Sequence, residues 1–174
     1  MTDPFCHRLA IDRICDGERL ELVAGEEERR AIAKRFGLLS LNRLEAAATL
    51  ERDGPRIRAL GRIRAELEQS CVATGEPVRE IVDEPFELVF VPEPATPAPD
   101  EEIELSGEEC DTVFYSGGAI DLGSAIADTL ALAIDPYPRT PGAEAVLKQA
   151  GVLSEEQAGP FAVLAKLKKG DGQA

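Results

Sequence analysis

The sequence predicts an α+β fold: an antiparallel six-stranded meander sheet or partly closed barrel, with one early helix and C-terminal helices packed on the sheet. Two observations lead to this prediction. Short segments with apolar residues at alternate positions fill the first half of the chain, and apolar residues at helical spacing follow a proline-rich stretch. We therefore expect an antiparallel β domain with one helix over residues 1–91, an acidic Pro-rich flexible loop over 92–111, and a helical C-terminal part of the same domain over 112–174.

The strands are predicted from alternation and turn residues. A first hairpin is expected over residues 5–24, turning at Asp16-Gly17, and a second turns at Asp53-Gly54. Two further strands are expected over 78–82 and 86–90, with Pro85 at their junction. The second hairpin has the clearest period of two, in Leu44, Ala46, Ala48 and Leu50 and, on the return, Ile57, Ala59, Gly61, Ile63, Ala65 and Leu67.

Three helices are predicted, the first two of them with capping residues. The first has three glutamates from Glu26 in its first turn and Gly37 just past its end, as the helix dipole and C-cap favour. The second begins after Asp121, an N-cap residue, and carries Leu122, Ile126, Leu130 and Ala133 on one stripe. A short helix is expected over 143–150.

The composition limits the classes of partner. The 174 residues carry 33 acids and 19 bases, a formal net charge of −14, which argues against a general nucleic-acid binder and favours a basic partner. We expect a soluble, cytoplasmic protein, because the apolar stretches are shorter than a membrane span and the N-terminus lacks a signal-peptide pattern.

No catalytic motif is found. The single histidine, His7, adjoins Cys6 on a predicted strand, where neighbours point to opposite faces, so a Cys-His dyad is disfavoured. A nucleophile elbow and a phosphate loop are both missing. The four cysteines form no Cys-x-x-Cys pair, which suits reduced thiols. We predict no enzyme activity, no catalytic residues, no cofactor and no small-molecule substrate.

An acid tract spans residues 76–111, with 13 acids against Arg79 alone. It can serve solubility or form a docking surface for a basic protein. In the second interpretation Glu101, Glu102, Glu108 and Glu109 are the candidate partner-binding residues.

The opposite charge occurs on one predicted strand, where Arg56, Arg58, Arg62 and Arg64 share a face. These arginines could bind RNA phosphates locally despite the net charge. They could instead pair across strands with Glu45, Glu51, Glu80 and Glu87, and the excess of acids favours this alternative.

The segment from Gln69 to Val78 is the first part of a family resemblance. It follows the alternating Gly-Arg-Ile-Arg-Ala-Glu-Leu strand. With the acidic proline-containing stretch, the Ile-Asp-Leu helix start and the Gly-Pro-Phe-Ala-Val-Leu-Ala-Lys-Leu ending, it resembles the YceD-like family of large ribosomal RNA subunit accumulation proteins, from about Leu20 onward. The residues that carry the resemblance are Cys71, Pro77, Asp121, Pro160, Phe161, Leu164 and Leu167.

The resemblance implies a non-enzymatic ribosome biogenesis factor that supports accumulation of large-subunit (23S) ribosomal RNA in bacteria or plant organelles. Some relatives carry Cys-x-x-Cys where this chain has Cys71-Val-Ala-Thr74, and Thr74 is no thiolate ligand, so no zinc site is carried over. Together with the charge, this favours an assembly factor that binds a basic large-subunit ribosomal protein or pre-ribosomal particle through its acidic surface. The alternative is direct ribosomal RNA binding by the arginine face.

Overall fold

The computed structural model describes residues 5–93 and 111–151. Within them the chain forms seven strands, three α-helices and one 3-10 turn at Ile11–Arg13. The strands are β1 (Arg8–Ala10), β2 (Glu18–Val23), β3 (Ser40–Asp53), β4 (Arg56–Ser70), β5 (Pro77–Pro92), β6 (Thr112–Tyr115) and β7 (Ala119–Asp121), and the helices are α1 (Glu26–Phe36), α2 (Leu122–Ala133) and α3 (Ala143–Gln149). The predicted α+β class is confirmed.

The described residues divide into two compact units. The first takes residues 5–69, 79–93 and 111–136, and so contains α1, α2 and most of the strand residues. The second takes residues 70–78 and 137–151 and contains α3. None of the helices in these ranges has the length and apolar character needed to span a bilayer.

The main sheet has five strands in the order β2-β3-β4-β5-β6, and β1 pairs separately with β7. Neighbouring strands from β2 to β4 are antiparallel, whereas β6 runs parallel to β5. The predicted six-stranded meander is therefore not observed. The described sheet is also not closed into a barrel, because β2 and β6 remain its two ends.

The hairpin expected over residues 5–24 does not form, because β1 pairs with β7 and β2 with β3. The predicted turn residues bind the end of β3: the Asp16 carboxylate accepts from the Arg52 N–H at 3.0 Å, and the Gly17 N–H donates to the Leu50 carbonyl at 2.8 Å. A local turn pattern specifies where the chain bends, but it does not specify which strand the next segment pairs with.

The two strands expected over 78–82 and 86–90 are one continuous strand, β5. Pro85 lies inside this strand and is exposed. Proline is tolerated there because its fixed φ is compatible with extended backbone. The predicted β domain ends at residue 91, so the prediction lacks β6 and β7. Most of the predicted acidic loop, residues 94–110, lies outside the described residues.

The second predicted hairpin is confirmed as β3 and β4, with Gly54 at the turn at a φ of 58°. Its alternating apolar positions form the centre of the hydrophobic core, and the opposite face of the hairpin is solvated. The buried positions are Leu44, Ala46, Ala48, Leu50, Ile57, Ala59, Ile63, Ala65 and Leu67.

The three predicted helices are confirmed. α1 begins where the Glu28 carboxylate accepts from the Gly25 N–H and ends at Gly37, whose φ of 68° is the left-handed conformation that a C-cap glycine supplies. In α2, Leu122 and Ile126 are fully buried in the same cluster as β3 and β4. The third helix is the short α3 of the second unit.

Gly61 is the one core-facing position of β4 without a side chain, and the Phe86 ring occupies that space. A Cβ at Gly61 would lie 2.6 Å from Phe86 Cζ and 2.1 Å from the backbone carbonyl oxygen of Ala47. The carbonyl belongs to the paired strand and cannot move without disturbing the ladder. Glycine here permits the close approach of an aromatic ring from β5.

We predict that Gly61→Ala lowers the free energy of unfolding by about 1–3 kcal/mol, because the added methyl overpacks the β3–β4–β5 contact. The matched control is Gly142→Ala, where a Cβ would have no atom within 4 Å. Urea unfolding followed by circular dichroism measures both variants. Equal midpoints for the two would contradict the steric argument.

Candidate functional site

The exposed face of β4 carries the four arginines singled out in the sequence. Arg58 lies between two neighbouring strands: its guanidinium is 2.6 Å from the Glu87 carboxylate on β5 and 3.8 Å from that of Glu51 on β3. The predicted cross-strand pairing with Glu51 and Glu87 is therefore confirmed. All three side chains are about half exposed, so each pair is a surface salt bridge.

Asp83 is the carboxylate that the sequence reasoning missed. It pairs with the Arg62 guanidinium and lies 3.4 Å from Arg64 Nε, so one acid on β5 serves two arginines on β4. The hydrogen bond from Arg62 holds the pKa of Asp83 below its usual value. The signal was available, because Asp83 and Glu87 are four residues apart and share a strand face. We call these four arginines with Glu51, Asp83 and Glu87 the arginine ladder.

The other two predicted partners bind elsewhere. Glu45 pairs with Arg43 at 2.6 Å, and this hydrogen bond lowers the pKa of Glu45. Glu80 accepts hydrogen bonds from the Gln69 side chain at 2.8 Å and from the Asp135 N–H at 3.0 Å.

Asp121 joins the N-terminal segment to the start of α2. Its Oδ1 accepts from the backbone N–H groups of Ser124 at 3.1 Å and His7 at 2.9 Å, and its Oδ2 accepts from the Cys6 thiol at 2.9 Å. Burial raises the pKa of Asp121, but these hydrogen bonds outweigh burial and the pKa is lowered. Asp121 therefore acts as the helix cap that the sequence predicted and also as a tertiary contact.

Cys71 lies in a tight turn of the second unit and is only 3% exposed. The Cys71 N–H donates to the Glu76 carbonyl at 2.7 Å, and the Thr140 N–H lies 3.4 Å from the sulfur. The hydrogen bond from the Thr74 side chain, supported by backbone N–H groups of Thr140 and Ala73, outweighs burial and lowers the Cys71 pKa to about 6. Such converging donors stabilise a thiolate.

Most of the remaining predicted residues lie outside the described part of the chain. Pro77 begins β5. The acidic candidates Glu101, Glu102, Glu108 and Glu109 lie outside the described residues, as do Pro160, Phe161, Leu164 and Leu167. In the ranges 5–93 and 111–151 no three histidine, cysteine or acidic side chains are grouped as metal ligands.

We predict that Asp121→Ala lowers the free energy of unfolding by about 0.5–2 kcal/mol at neutral pH, the usual range for loss of an N-cap. The lowered pKa means that the contribution of Asp121 is complete above its unfolded value of about 4 and is lost as the pH falls through the folded value. Urea unfolding across acidic pH measures this. Asp12→Ala, at a 3-10 turn without a side-chain cap bond, is the control and should change little.

We predict a thiolate titration near pH 6 that belongs to Cys71. Thiolate absorbance in the far ultraviolet should rise near pH 6 in the native protein. This rise should be absent in Cys71→Ala. Because the folded pKa lies below the unfolded value of about 8.5, the stability advantage of the native protein over Cys71→Ala should grow as pH rises between the two values. A titration without a step near pH 6 would contradict the assignment.

A family model described as "Large ribosomal RNA subunit accumulation protein YceD" matches residues 59–168, a narrower range than the resemblance predicted from Leu20. No curated protein and no solved structure matches significantly. The matched range takes in most of β4, including Arg62 and Arg64 but not Arg56 or Arg58, as well as Asp121, and it covers more than half of the 174 residues. The chain therefore belongs to the YceD family of large ribosomal RNA subunit accumulation proteins.

Proposed function

We propose that this protein is a non-enzymatic ribosome biogenesis factor that supports accumulation of large-subunit ribosomal RNA by binding a basic component of the subunit through an acidic surface. The partner is a basic large-subunit ribosomal protein or a pre-ribosomal particle that presents one. The proposed place of action is the bacterial cytoplasm, where the subunits assemble. The family description supports the ribosomal role, and the net charge of −14 supports the choice of partner.

The observation that carries the choice of partner is the arginine ladder. Arg58, Arg62 and Arg64 are the basic residues best placed to bind RNA, yet each lies beside a carboxylate of a neighbouring strand. An RNA phosphate would have to displace Asp83 or Glu87, or bind beside them against their charge. The acid tract has the opposite character, since eleven acids remain against one base after Asp83 and Glu87 are assigned to the ladder.

Direct RNA binding remains a second candidate, because the ladder arginines keep roughly half of their side-chain surface exposed. Arginine can contact a phosphate with one edge of its guanidinium while a carboxylate holds the other. Arg56 has no carboxylate partner among the described residues and would be the first to contact RNA. In this interpretation β4 presents a local basic stripe within an acidic protein.

We predict that reversing Glu101, Glu102, Glu108 and Glu109 to lysine weakens capture of basic large-subunit proteins and flattens its salt dependence. The tagged full chain is incubated with lysate at graded salt, with and without ribonuclease, and the captured proteins and ribosomal RNA are identified. Capture that survives ribonuclease and falls with salt supports direct binding of a basic protein.

The matched control reverses Asp12, Glu21, Glu27 and Glu144, four exposed acids outside the tract, and so changes the net charge equally. Equal capture by the tract variant, the control and the native protein would refute the acidic-docking proposal. Replacing Arg56, Arg58, Arg62 and Arg64 by glutamine tests the second candidate. If capture collapses in that variant while it remains folded, direct RNA binding replaces the first proposal.

A further inference from the structure

A groove lies in the first unit between β5 and β6 on one side and α2 on the other. Its volume of about 500 Å³ falls within the roughly 300–1,000 Å³ usual for ligand sites. Its apolar residues include Phe86, Leu88, Val113, Ala125 and Leu132. Leu132 is 85% exposed, so this apolar surface continues to the outer edge of α2.

The polar part of the groove carries only one sign of charge. Five carboxylates line it, those of Glu84, Glu87, Asp111, Asp121 and Asp128, and no lysine or arginine is among the lining residues. Arg58 and Arg35 pair with two of the five, Glu87 and Asp128. The Glu84 and Asp111 side chains have no hydrogen-bond or ionic partner within the described part of the chain. We call this feature the acidic groove.

Charge and polarity together define what fits the acidic groove. A nucleic acid is disfavoured because its phosphates would face the carboxylates. The chain's own residues between Glu93 and Asp111 are not complementary either, since they hold six acids and no base. A segment with apolar side chains for the floor and cations for the rim satisfies both requirements.

We propose that the acidic groove binds a short lysine- or arginine-rich segment of a protein partner through large apolar side chains that insert between β5 and α2. The cations of the segment lie against the carboxylates of Glu84 and Asp111. The inference rests on the proposed function in one respect: the bound segment belongs to a basic large-subunit component. It adds a contact at Glu84 and Asp111, within the acid tract, to the contact proposed for Glu101, Glu102, Glu108 and Glu109, and it assigns a place for the apolar part of the interaction.

The test uses the full chain and three labelled peptides in a fluorescence anisotropy titration. One peptide alternates leucine with lysine, a second has the leucines replaced by alanine, and a third has the lysines replaced by glutamate. The first should bind, with affinity falling as salt rises, and the other two should bind at least about tenfold more weakly. Equal binding of the leucine and alanine peptides would show charge attraction alone and overturn the groove assignment.

Two groove variants, each with a matched control, test where the peptide binds. Leu132→Arg brings a cation to the groove edge at an exposed position and should weaken the lysine-leucine peptide about tenfold. Its control is Val23→Arg on β2, which is 67% exposed and away from the groove. Glu84→Lys with Asp111→Lys should flatten the salt dependence, whereas Glu27→Lys with Glu144→Lys should not. Binding that is unchanged in both groove variants refutes the proposal.

The outcomes separate this inference from the proposed function. If the groove variants bind peptide normally while the acid-tract variant loses ribosomal capture, the groove inference fails and the function stands. If the native protein binds peptide in the groove but captures no ribosomal component, the function fails and the groove inference stands. If sedimentation shows a dimer that Leu132→Arg dissociates and no peptide binds, the groove holds a second copy and the inference is wrong.

Discussion

The antiparallel register between β3 and β4 is the constraint on which the rest of the first unit depends. Side chains alternate between the two faces of a strand, so a slip of one residue would move the buried leucines and isoleucines into water and the arginines into the core. The turn at Gly54 sets this register, and eleven residue pairs from Asp53↔Arg56 to Arg43↔Glu66 keep it before an irregularity between Leu41 and Arg43. Both the core and the charged face follow from one pairing.

The charged face shows how an acidic protein can carry a row of arginines. The strands beside β4 contribute Glu51, Asp83 and Glu87, which pair with three of the four arginines, Arg58, Arg62 and Arg64. Exposed pairs of this kind contribute little stability, and their main effect is on which partner the surface can attract. Because Asp83 and Glu87 of the acid tract pair with arginines on this face, the other carboxylates of the tract and of the acidic groove provide the negative charge for a partner.

The N-terminal segment shows where local sequence patterns are insufficient. Residues 5–24 have the alternation and the turn of a hairpin, yet Asp121 binds Cys6 and His7 and β1 pairs with β7. A contact across more than a hundred residues cannot be read from a local pattern, because the competing hairpin has the same local signals. Asp83 was overlooked as a partner for a different reason: the strands predicted over 78–82 and 86–90 leave it between them, so the face that it shares with Glu87 on one continuous strand was not recognised.

By itself the sequence determined the α+β class, the second hairpin with its turn, the three helices with the caps of the first two, the arginine face and the family resemblance. These are local properties, because capping, turn chemistry and side-chain alternation act over a few residues. Only the tertiary structure decided that β6 joins β5 in parallel, that Phe86 occupies the space left by Gly61, and that apolar and acidic residues of β5, β6 and α2 form one groove. Each of these depends on segments distant in the chain coming together, which is governed by the burial of the whole core and not by any one segment.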